Sequence, residues 1–342
     1  MGIMSMSTKL KIIDDTPDMT PEGDEFSFGG VSSDELSQNA MGGTEMMKYG
    51  LYERLAPDIR DKVQIICSRV REVDPDRPTV LWLHDMFNDP EANHLTDAEA
   101  RKRFDKLVFV SNYQKTQYEL AYGIKSSEGM VLKNCIIPIE AHEKPSMDEQ
   151  INLIYHTTPH RGLDLLVPVF EELCNHFDNI TLDVYSSFNI YGWAQRDADY
   201  EHLFERCRQH PKINYHGYQP NEVVREALKK AHIFAFPSIW PETSCIAAME
   251  AMSAGCLIVC PEFAALPETT AGFAMTYAMN EDPNTHANIF IQVLAAAIQK
   301  INSPDMSNRL DFQKAYADGF YSWDTRVAQW DGLLRGIVET KS

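Results

Sequence analysis

Residues 236–260 read FPSIWPETSCIAAMEAMSAGCLIVC. They begin in an apolar run, pass through a Trp-Pro turn, continue with the spacing of a short helix and end in a second apolar run. Thr243 or Ser244 is expected to cap the start of the helix, and Gly255 suits the left-handed position after its end. A strand, a helix and another strand in direct succession predict a parallel α/β unit.

Short apolar runs alternate with helical patterns through most of the chain. Several runs are apolar almost without interruption, which is typical of parallel strands covered on both faces. The strand candidates are KLKII (9–13), VQIIC (63–67), TVLWLH (79–84), KLVFVS (106–111), GMVLKN (129–134), NLIYH (152–156), ITLDVYS (180–186), INYHG (213–217), HIFAFPS (232–238) and CLIVC (256–260). The helix candidates are EMMKYGLYERLA (45–56), DAEARKRFDK (97–106), GLDLLVPVFEELCNHF (162–177), NEVVREALKKA (221–231) and CIAAMEAMSA (245–254).

A polar segment, PIEAHEKPSMDEQ at residues 138–150, interrupts this alternation and contains two prolines. We place the linker between two domains here. The predicted organisation is a Rossmann-like domain at residues 1–140, a second one at residues 141–320 and a final helix at residues 321–342. Ligands of such sheets bind outside the carboxyl ends of the strands, so two facing domains would enclose a cleft.

The start of the helix at residues 245–254 is a candidate anion site. Free backbone amides and the positive end of the helix dipole meet there, and residues 243–245 would supply the amides. Glu242 precedes this helix and Glu250 lies within it, so a diphosphate at the helix start would have a carboxylate on each side. Spacing alone leaves a purely structural interpretation open, because a Glu at a helix start is favourable by itself.

The residues around these two acids resemble the E-x7-E signature of glycosyltransferase family 4, whose members are retaining enzymes of the GT-B fold. The matching residues are Pro237, Ser238, Glu242, Glu250, Ala251 and Gly255. LPE at residues 266–268 resembles the next loop of the family, and YSWD at residues 321–324 resembles the start of its last helix, which by this resemblance crosses back to the N-terminal domain. The resemblance implies an α/β protein of the GT-B fold, with two Rossmann-like domains whose parallel sheets face each other across a cleft. The first domain would bind the acceptor and the second the sugar nucleotide.

The resemblance also assigns roles. It implies that Glu250 binds the ribose of a sugar nucleotide and that Glu242 lies near the transferred sugar. The amides of Thr243, Ser244 and Cys245 would contact the donor. The chain departs from the family where Thr243-Ser244 replaces the usual Gly-Phe, which leaves the identity of the sugar open.

Three further positions resemble family residues. Arg161 in HRGLD takes the place of a basic residue that contacts the donor diphosphate, and it would stabilise the departing charge. The family's earlier Arg is absent, so Arg161 acts alone or with a nearby His. Gly42 and Gly43 precede a helix and resemble the glycine loop beside the donor. His84 ends a predicted strand and resembles the active-site His, which makes His84, Arg161 and Glu242 the catalytic candidates.

Two patterns could be mistaken for metal sites. His156 and His160 have a spacing that can bind zinc on a helix, but a strand end and a proline separate them. A place in the phosphate pocket is favoured for one of them. Asp197 and Asp199 form a DxD triplet, like that of metal-dependent GT-A transferases, but such triplets arise readily in an acidic chain. No metal and no cofactor are predicted.

Composition restricts the class of protein further. The formal net charge of −19 over 342 residues opposes nucleic-acid binding. No apolar run reaches the roughly 18 residues of a membrane span, and the first residues lack the apolar core of a signal peptide. The seven cysteines show no disulfide spacing, which favours reduced thiols and a cytoplasmic location. Cys256 and Cys260 are expected in a buried strand.

Together these patterns predict a metal-independent transferase that moves a hexosyl unit from a nucleoside-diphosphate sugar to a hydroxyl acceptor with retention. UDP is the favoured nucleotide and GDP the second. Two alternatives remain open: a sugar-nucleotide epimerase of the same fold, and a sugar-nucleotide-binding protein without activity. The acceptor and the oligomeric state are not predicted.

Overall fold

The computed structural model describes residues 42–341, which form two parallel sheets connected by helices. The first sheet has four strands, and neighbours in the sheet are also neighbours in the chain. Every adjacent pair is parallel. The strands are β1 (Gln64–Cys67), β2 (Thr79–Leu83), β3 (Lys106–Phe109) and β4 (Gly129–Val131). The predicted strand at residues 9–13 lies outside the described residues.

The second sheet has six parallel strands in the order β10-β9-β8-β5-β6-β7. The strands are β5 (Ile151–Tyr155), β6 (Ile180–Val184), β7 (Ile213–Tyr215), β8 (Ile233–Ala235), β9 (Leu257–Pro261) and β10 (Met275–Tyr277). The chain runs outward from β5 through β6 to β7, and then returns to the other side of β5 with β8. This reversal opens a crevice at the carboxyl ends of β5 and β8, where ligands of such sheets bind.

The predicted parallel α/β architecture is confirmed, and each strand predicted within residues 42–341 is present. β10 was not predicted, because it has three residues and only Tyr277 among them is buried. The predicted helix at residues 97–106 is too long: α3 covers only Ala98–Arg101, since the chain must turn to enter β3 at Lys106.

Helices join the strands of both sheets. Those associated with the first sheet are α1 (Gly43–Arg54), α2 (Pro57–Arg60), α3 (Ala98–Arg101) and α4 (Asn112–Tyr122). Those that follow are α5 (Leu163–Leu173), α6 (Glu201–Gln209), α7 (Asn221–Leu228), α8 (Ile246–Ser253), α9 (Leu266–Thr270), α10 (Pro283–Lys300), α11 (Pro304–Phe320) and α12 (Trp323–Lys341). Residues 137–150 contain neither helix nor strand. The domain limits near residues 140 and 320 stay predictions.

The last helix, α12, packs on the first sheet rather than the second. Its Trp330 and Leu334 are fully buried in one apolar cluster with Met47 of α1 and Trp82 of β2. The rings of Trp82 and Trp330 lie 4.8 Å apart, edge to face. At Gly50 of α1 a side chain would collide with Trp323, so α1 and α12 approach closely. The chain therefore crosses back to complete the first core.

Candidate active site

Helix α8 begins directly beside the crevice. Its N-cap is Cys245, and no side chain caps its first turn. The predicted cap by Thr243 or Ser244 is therefore wrong, because the Thr243 hydroxyl instead donates a hydrogen bond of 2.8 Å to the His84 carbonyl in the first domain. The amides at the start of α8 consequently keep their capacity to bind an anion.

The predicted end of α8 is confirmed. Gly255 has a φ of +67°, and its amide donates to the Met252 carbonyl at 3.0 Å. The next amide, of Cys256, donates to the Ala251 carbonyl at 2.9 Å. These two bonds form a Schellman motif, which satisfies the last carbonyls of the helix and turns the chain into β9. Cys256 and Cys260 are fully buried, and Cys260 lies within β9 as expected.

Arg161 and Glu242 meet across the crevice. Arg161 ends a 3₁₀ helix after β5, Glu242 lies in the loop after β8, and the Arg161 Nη1 donates to the Glu242 carboxylate. The Glu242 side chain is 6% exposed and that of Arg161 is 20% exposed. The sequence placed both residues at the donor site, but it did not predict that they pair with each other.

A close backbone approach holds this pair together. Gly162 has a φ of +121°, and a Cβ atom there would lie 2.2 Å from the Pro237 carbonyl oxygen. Only glycine lets the loop after β5 pass this close to the loop after β8. The first loop presents Arg161 and the second presents Glu242, so Gly162 sets the separation between them.

The guanidinium of Arg161 keeps one nitrogen for a ligand. Burial by itself lowers the pKa of Arg161, but the charge and the hydrogen bond of Glu242 outweigh burial and raise this pKa above its ordinary value. Its Nε donates to the Thr158 hydroxyl at 3.1 Å and its Nη1 to Glu242. Within residues 42–341, Nη2 has no hydrogen-bond acceptor. Arg161 is therefore a fixed cation with an unused donor.

Glu250 is buried in α8 and bound by two side chains of α7. Asn221 Nδ2 donates to both carboxylate oxygens at 3.2 Å, and Arg225 Nη1 donates to one of them at 3.1 Å. Burial raises the pKa of Glu250, and the charge of Arg225 opposes that rise. Arg225 Nη2 also donates to the Pro138 carbonyl at 3.3 Å, which links the predicted ribose acid to the segment between the sheets.

His84 lies at the carboxyl end of β2, as predicted, but as a buried neutral group. Its amide donates to the Ser68 hydroxyl at 2.9 Å, and its carbonyl accepts from Thr243. Neither ring nitrogen makes a hydrogen bond of good geometry with the described residues. Burial lowers the pKa of His84 to about 4, and the Trp82 backbone opposes this only in part. At neutral pH the ring can donate or accept one hydrogen bond but carries no charge.

The two glycines at the start of α1 face the second domain. A Cβ atom at Gly42 would lie 2.6 Å from Cε1 of Tyr191, and one at Gly43 would lie 3.1 Å from Cδ1 of Ile246. Ile246 is the first residue of α8. The glycine pair therefore lies against the same helix start that was predicted to bind the donor, with Tyr191 beside it.

Glu268 of α9 joins the two domains at a second point. Its carboxylate accepts from the amides of Asn112 and Tyr113 at 2.9 and 3.0 Å, and from Lys133. Asn112 and Tyr113 are the first residues of α4, so a side chain of the second domain caps a helix of the first. Burial opposes the charge of Glu268, but these bonds hold its pKa below the ordinary value.

The patterns that resembled metal sites have other environments. Burial lowers the pKa of both His156 and His160 to about 3, so neither can replace the missing cation. The Asp197 carboxylate accepts from the Ser187 hydroxyl and from the Phe188 amide, and it thereby fixes a loop. No cluster of metal-binding side chains occurs in the part of the chain that the structure describes.

Four partners of these residues were not predicted from the sequence. They are Thr158, Tyr191, Asn221 and Arg225. Asn221 and Arg225 are one turn apart in a helix that was predicted, so a shared polar face could have been noticed. Tyr191 lies in a stretch without periodicity, and only the folded chain brings it near Arg161.

Two Rossmann-like domains with parallel sheets, joined across this cleft, form the GT-B fold. A glycosyltransferase from Rickettsia africae ESF-5 shares the fold, with a TM-score of 0.62 over 88% of this chain and 83% of that chain at 15% identity. HepE of Anabaena in complex with UDP and glucose gives a TM-score of 0.58 over 76% of this chain and 72% of that chain at 16% identity.

Residues 138–282 match the family model described as Glycosyl transferases group 1. The chain is also similar to a phosphatidylinositol N-acetylglucosaminyltransferase subunit from Arabidopsis thaliana, with 26% identity over 223 residues, which are 64% of this chain and 46% of that protein. The Homo sapiens protein of the same name is 28% identical over 131 residues, 38% of this chain and 25% of that protein. The matched regions span less than half the length of either curated relative.

None of the helices between residues 42 and 341 combines the length and the apolar character that crossing a membrane would require.

Proposed function

We propose that this protein is a glycosyltransferase that moves a hexosyl unit from a UDP-sugar to a hydroxyl acceptor. The observation that carries the proposal is the buried Arg161–Glu242 pair beside the uncapped start of α8, at the reversal point of the second sheet. Fixed positive groups at a point where a diphosphate departs lower the energy of the transition state. The match of residues 138–282 to a glycosyltransferase family supports the same conclusion.

The diphosphate would bind between α8 and Arg161. The first amides of α8 would face the diphosphate with their N–H groups. The Nη2 of Arg161, which has no acceptor among the described residues, would add a charge-assisted hydrogen bond. Glu242 keeps Arg161 oriented before the donor arrives. After the donor binds, Glu242 would also lie next to the transferred sugar.

Glu250 would accept hydrogen bonds from the ribose hydroxyls. Asn221 and Arg225 hold its carboxylate in one orientation before the ligand arrives, so little ordering of this side chain is needed on binding. UDP is preferred to GDP because HepE, which shares the fold, has been solved with UDP and glucose. A cytoplasmic location remains part of the proposal.

Transfer would proceed with retention and without a metal. The Glu242 carboxylate is engaged with Arg161, which makes it a poor nucleophile towards the sugar. The acceptor oxygen would then bond to C1 on the face from which UDP leaves. The C1–O bond to the diphosphate breaks, and the acceptor proton passes to a diphosphate oxygen. The ring of His84, neutral and 4.6 Å from that of Trp82, would offer one hydrogen bond to the sugar or the acceptor.

Binding is tested by calorimetry with UDP, GDP, ADP and their glucose or N-acetylglucosamine conjugates. UDP and a UDP-sugar should bind more tightly than the others. Glu250→Ala should weaken UDP binding roughly 10- to 100-fold, because the ribose loses bonds to a charged acceptor. Glu226→Ala, which removes an exposed carboxylate from the adjacent helix α7, is the control and should bind UDP like the unchanged protein.

Retention and metal independence need an assay of the reaction. Transfer to a simple alcohol or to phosphatidylinositol in detergent, followed by NMR of the product, gives the anomeric configuration. Activity that persists in excess EDTA supports metal independence, and inhibition that added Mg²⁺ reverses contradicts it. Interconversion of the UDP-sugar without an acceptor would favour the epimerase. Tight UDP binding with neither reaction would favour a protein without activity.

A further inference from the structure

Most of the connection between β6 and α6 is formed by residues 187–200, which we call the 187–200 segment. It contains the 3₁₀ helices Phe188–Tyr191 and Ala194–Tyr200. It leaves the sheet at the carboxyl end of β6, next to the loop that presents Arg161. The segment thus begins at the edge of the proposed donor site.

Several contacts give this segment a fixed shape. The Asp197 carboxylate binds both the Ser187 hydroxyl and the Phe188 amide, the latter at 2.7 Å. The Arg196 guanidinium lies over two aromatic rings, at 5.4 Å from that of Phe188 and 5.1 Å from that of Trp193. A segment closed on itself in this way can hold a side chain in one position.

The side chain it holds at the site is Tyr191. A Cβ atom at Gly42 would lie 2.6 Å from the Tyr191 ring, so the ring contacts the main chain of the first domain's glycine pair. On its other flank it packs on Trp193, with ring centroids 5.3 Å apart. The phenol lies within electrostatic range of Arg161, on the same side of the cleft as the Arg161–Glu242 pair. Tyr191 therefore lies near both the glycine pair of the first domain and Arg161, the cation proposed to bind the diphosphate.

The Tyr191 hydroxyl makes no hydrogen bond with any of residues 42–341, the part of the chain that the structure describes. The hydroxyl of Thr243, at the position where the chain departs from the family, already donates to the His84 carbonyl. Of these two hydroxyls at the cleft, only that of Tyr191 keeps its donor for a substrate. A phenol also offers an apolar ring face, which suits the C–H face of a sugar.

We propose that Tyr191 determines which sugar is transferred, by bonding one hydroxyl of the hexosyl unit while its ring packs against the sugar. This assignment rests on the proposed glycosyltransferase function. A site that pairs a substrate hydroxyl discriminates strongly against a sugar that lacks it, whereas a purely apolar pocket discriminates weakly.

The test compares Tyr191→Phe with the unchanged protein on its best UDP-sugar and on the deoxy analogues of that sugar. Tyr191→Phe keeps the ring against Gly42 and removes only the hydroxyl, so the fold is not at risk. We expect kcat/KM for the best sugar to fall roughly 10- to 100-fold. For the one deoxy analogue that lacks the hydroxyl bonded by Tyr191, Tyr191→Phe and the unchanged protein should have the same kcat/KM. The affinity for UDP alone should stay within about twofold.

Tyr49→Phe is the matched control, because Tyr49 is 53% exposed on α1 and its loss of a hydroxyl should change nothing. If Tyr191 only fills space beside Gly42, Tyr191→Phe will keep the unchanged protein's rate and sugar preference, and the assignment is overturned. A different result, in which the unchanged protein binds no nucleotide and transfers no sugar, rejects the proposed function itself. The two failures are thus distinguishable by UDP binding of the unchanged protein.

Discussion

Replacing Arg161 by Met should destabilise the protein more than any surface charge change, because it leaves Glu242 buried without a partner. The Glu242 side chain is 6% exposed. Removal of one member of a buried ion pair costs about 3–5 kcal/mol. For a unit of this size, 1 kcal/mol corresponds to about 2–4 °C, so the melting temperature should fall by about 6–20 °C.

The double variant Arg161→Met/Glu242→Gln tests the cause of this loss. It removes the uncompensated charge, so it should melt above Arg161→Met, with a coupling of about 1–3 kcal/mol between the two sites. Differential scanning calorimetry without ligand is the suitable measurement, since it resolves separate transitions if the two domains unfold apart.

Arg335→Met is the matched control. Arg335 pairs with Asp331 and with Asp58, but the side chains of Arg335 and Asp58 are 43% and 60% exposed. Solvent screens such pairs, so Arg335→Met should melt close to the unchanged protein. Two results would refute the explanation that a buried, uncompensated Glu242 causes the loss of stability. Either Arg161→Met melts within about 2 °C of the unchanged protein, or the double variant melts no higher than Arg161→Met.

Three further outcomes are expected. Gly162→Ala should lower the free energy of unfolding by more than about 3 kcal/mol in urea titrations, because the added Cβ would lie 2.2 Å from the Pro237 carbonyl oxygen. Gly255→Ala should lower it by only about 1 kcal/mol, because no neighbouring atom lies nearer than 3.7 Å to the added Cβ. Equal losses for the two variants would contradict this explanation. At a pH above the ordinary pKa of glutamate, Glu268→Gln should lower the melting temperature. This effect should shrink as the pH falls through the lowered pKa of Glu268 in the folded protein, and a difference that does not vary with pH would exclude a role for the Glu268 charge. Because the folded protein holds His84 neutral while the unfolded chain can protonate it, stability should decrease as pH falls from about 6.5 to about 4. His84→Gln should make this decrease smaller, and an unchanged pH profile would refute the lowered pKa of His84.

Much of the fold could be predicted because it depends on local patterns. Nearly continuous apolar runs such as Thr79–Leu83 are buried at every position, and such runs are a direct signal of a buried strand. β10 lacked such a pattern, with one buried residue in three. The cap of α8 was misassigned for a different reason: the Thr243 hydroxyl binds a carbonyl 159 residues away, and no local rule contains that partner.

The site was predictable only in part, for the same physical reason. Resemblance to a family indicated Arg161, Glu242 and Glu250, and the structure brings the first two into contact. Their pairing joins residues 81 positions apart, and that distance is set by the crossing of two loops at Gly162. The charge state of His84 also depends on burial, which a single residue at a strand end does not reveal. The roles of all these residues stay predictions until binding and transfer are measured.

The return of α12 to the first sheet has a consequence for the order of folding during synthesis. Trp330 and Leu334 fill the same core as Trp82, yet the ribosome makes them after the whole second sheet. The first domain therefore leaves the ribosome with an incomplete core, whereas the second sheet can form before α12 is synthesised. Chaperone contacts during translation are accordingly expected on the apolar face of β2, until α12 emerges and covers it.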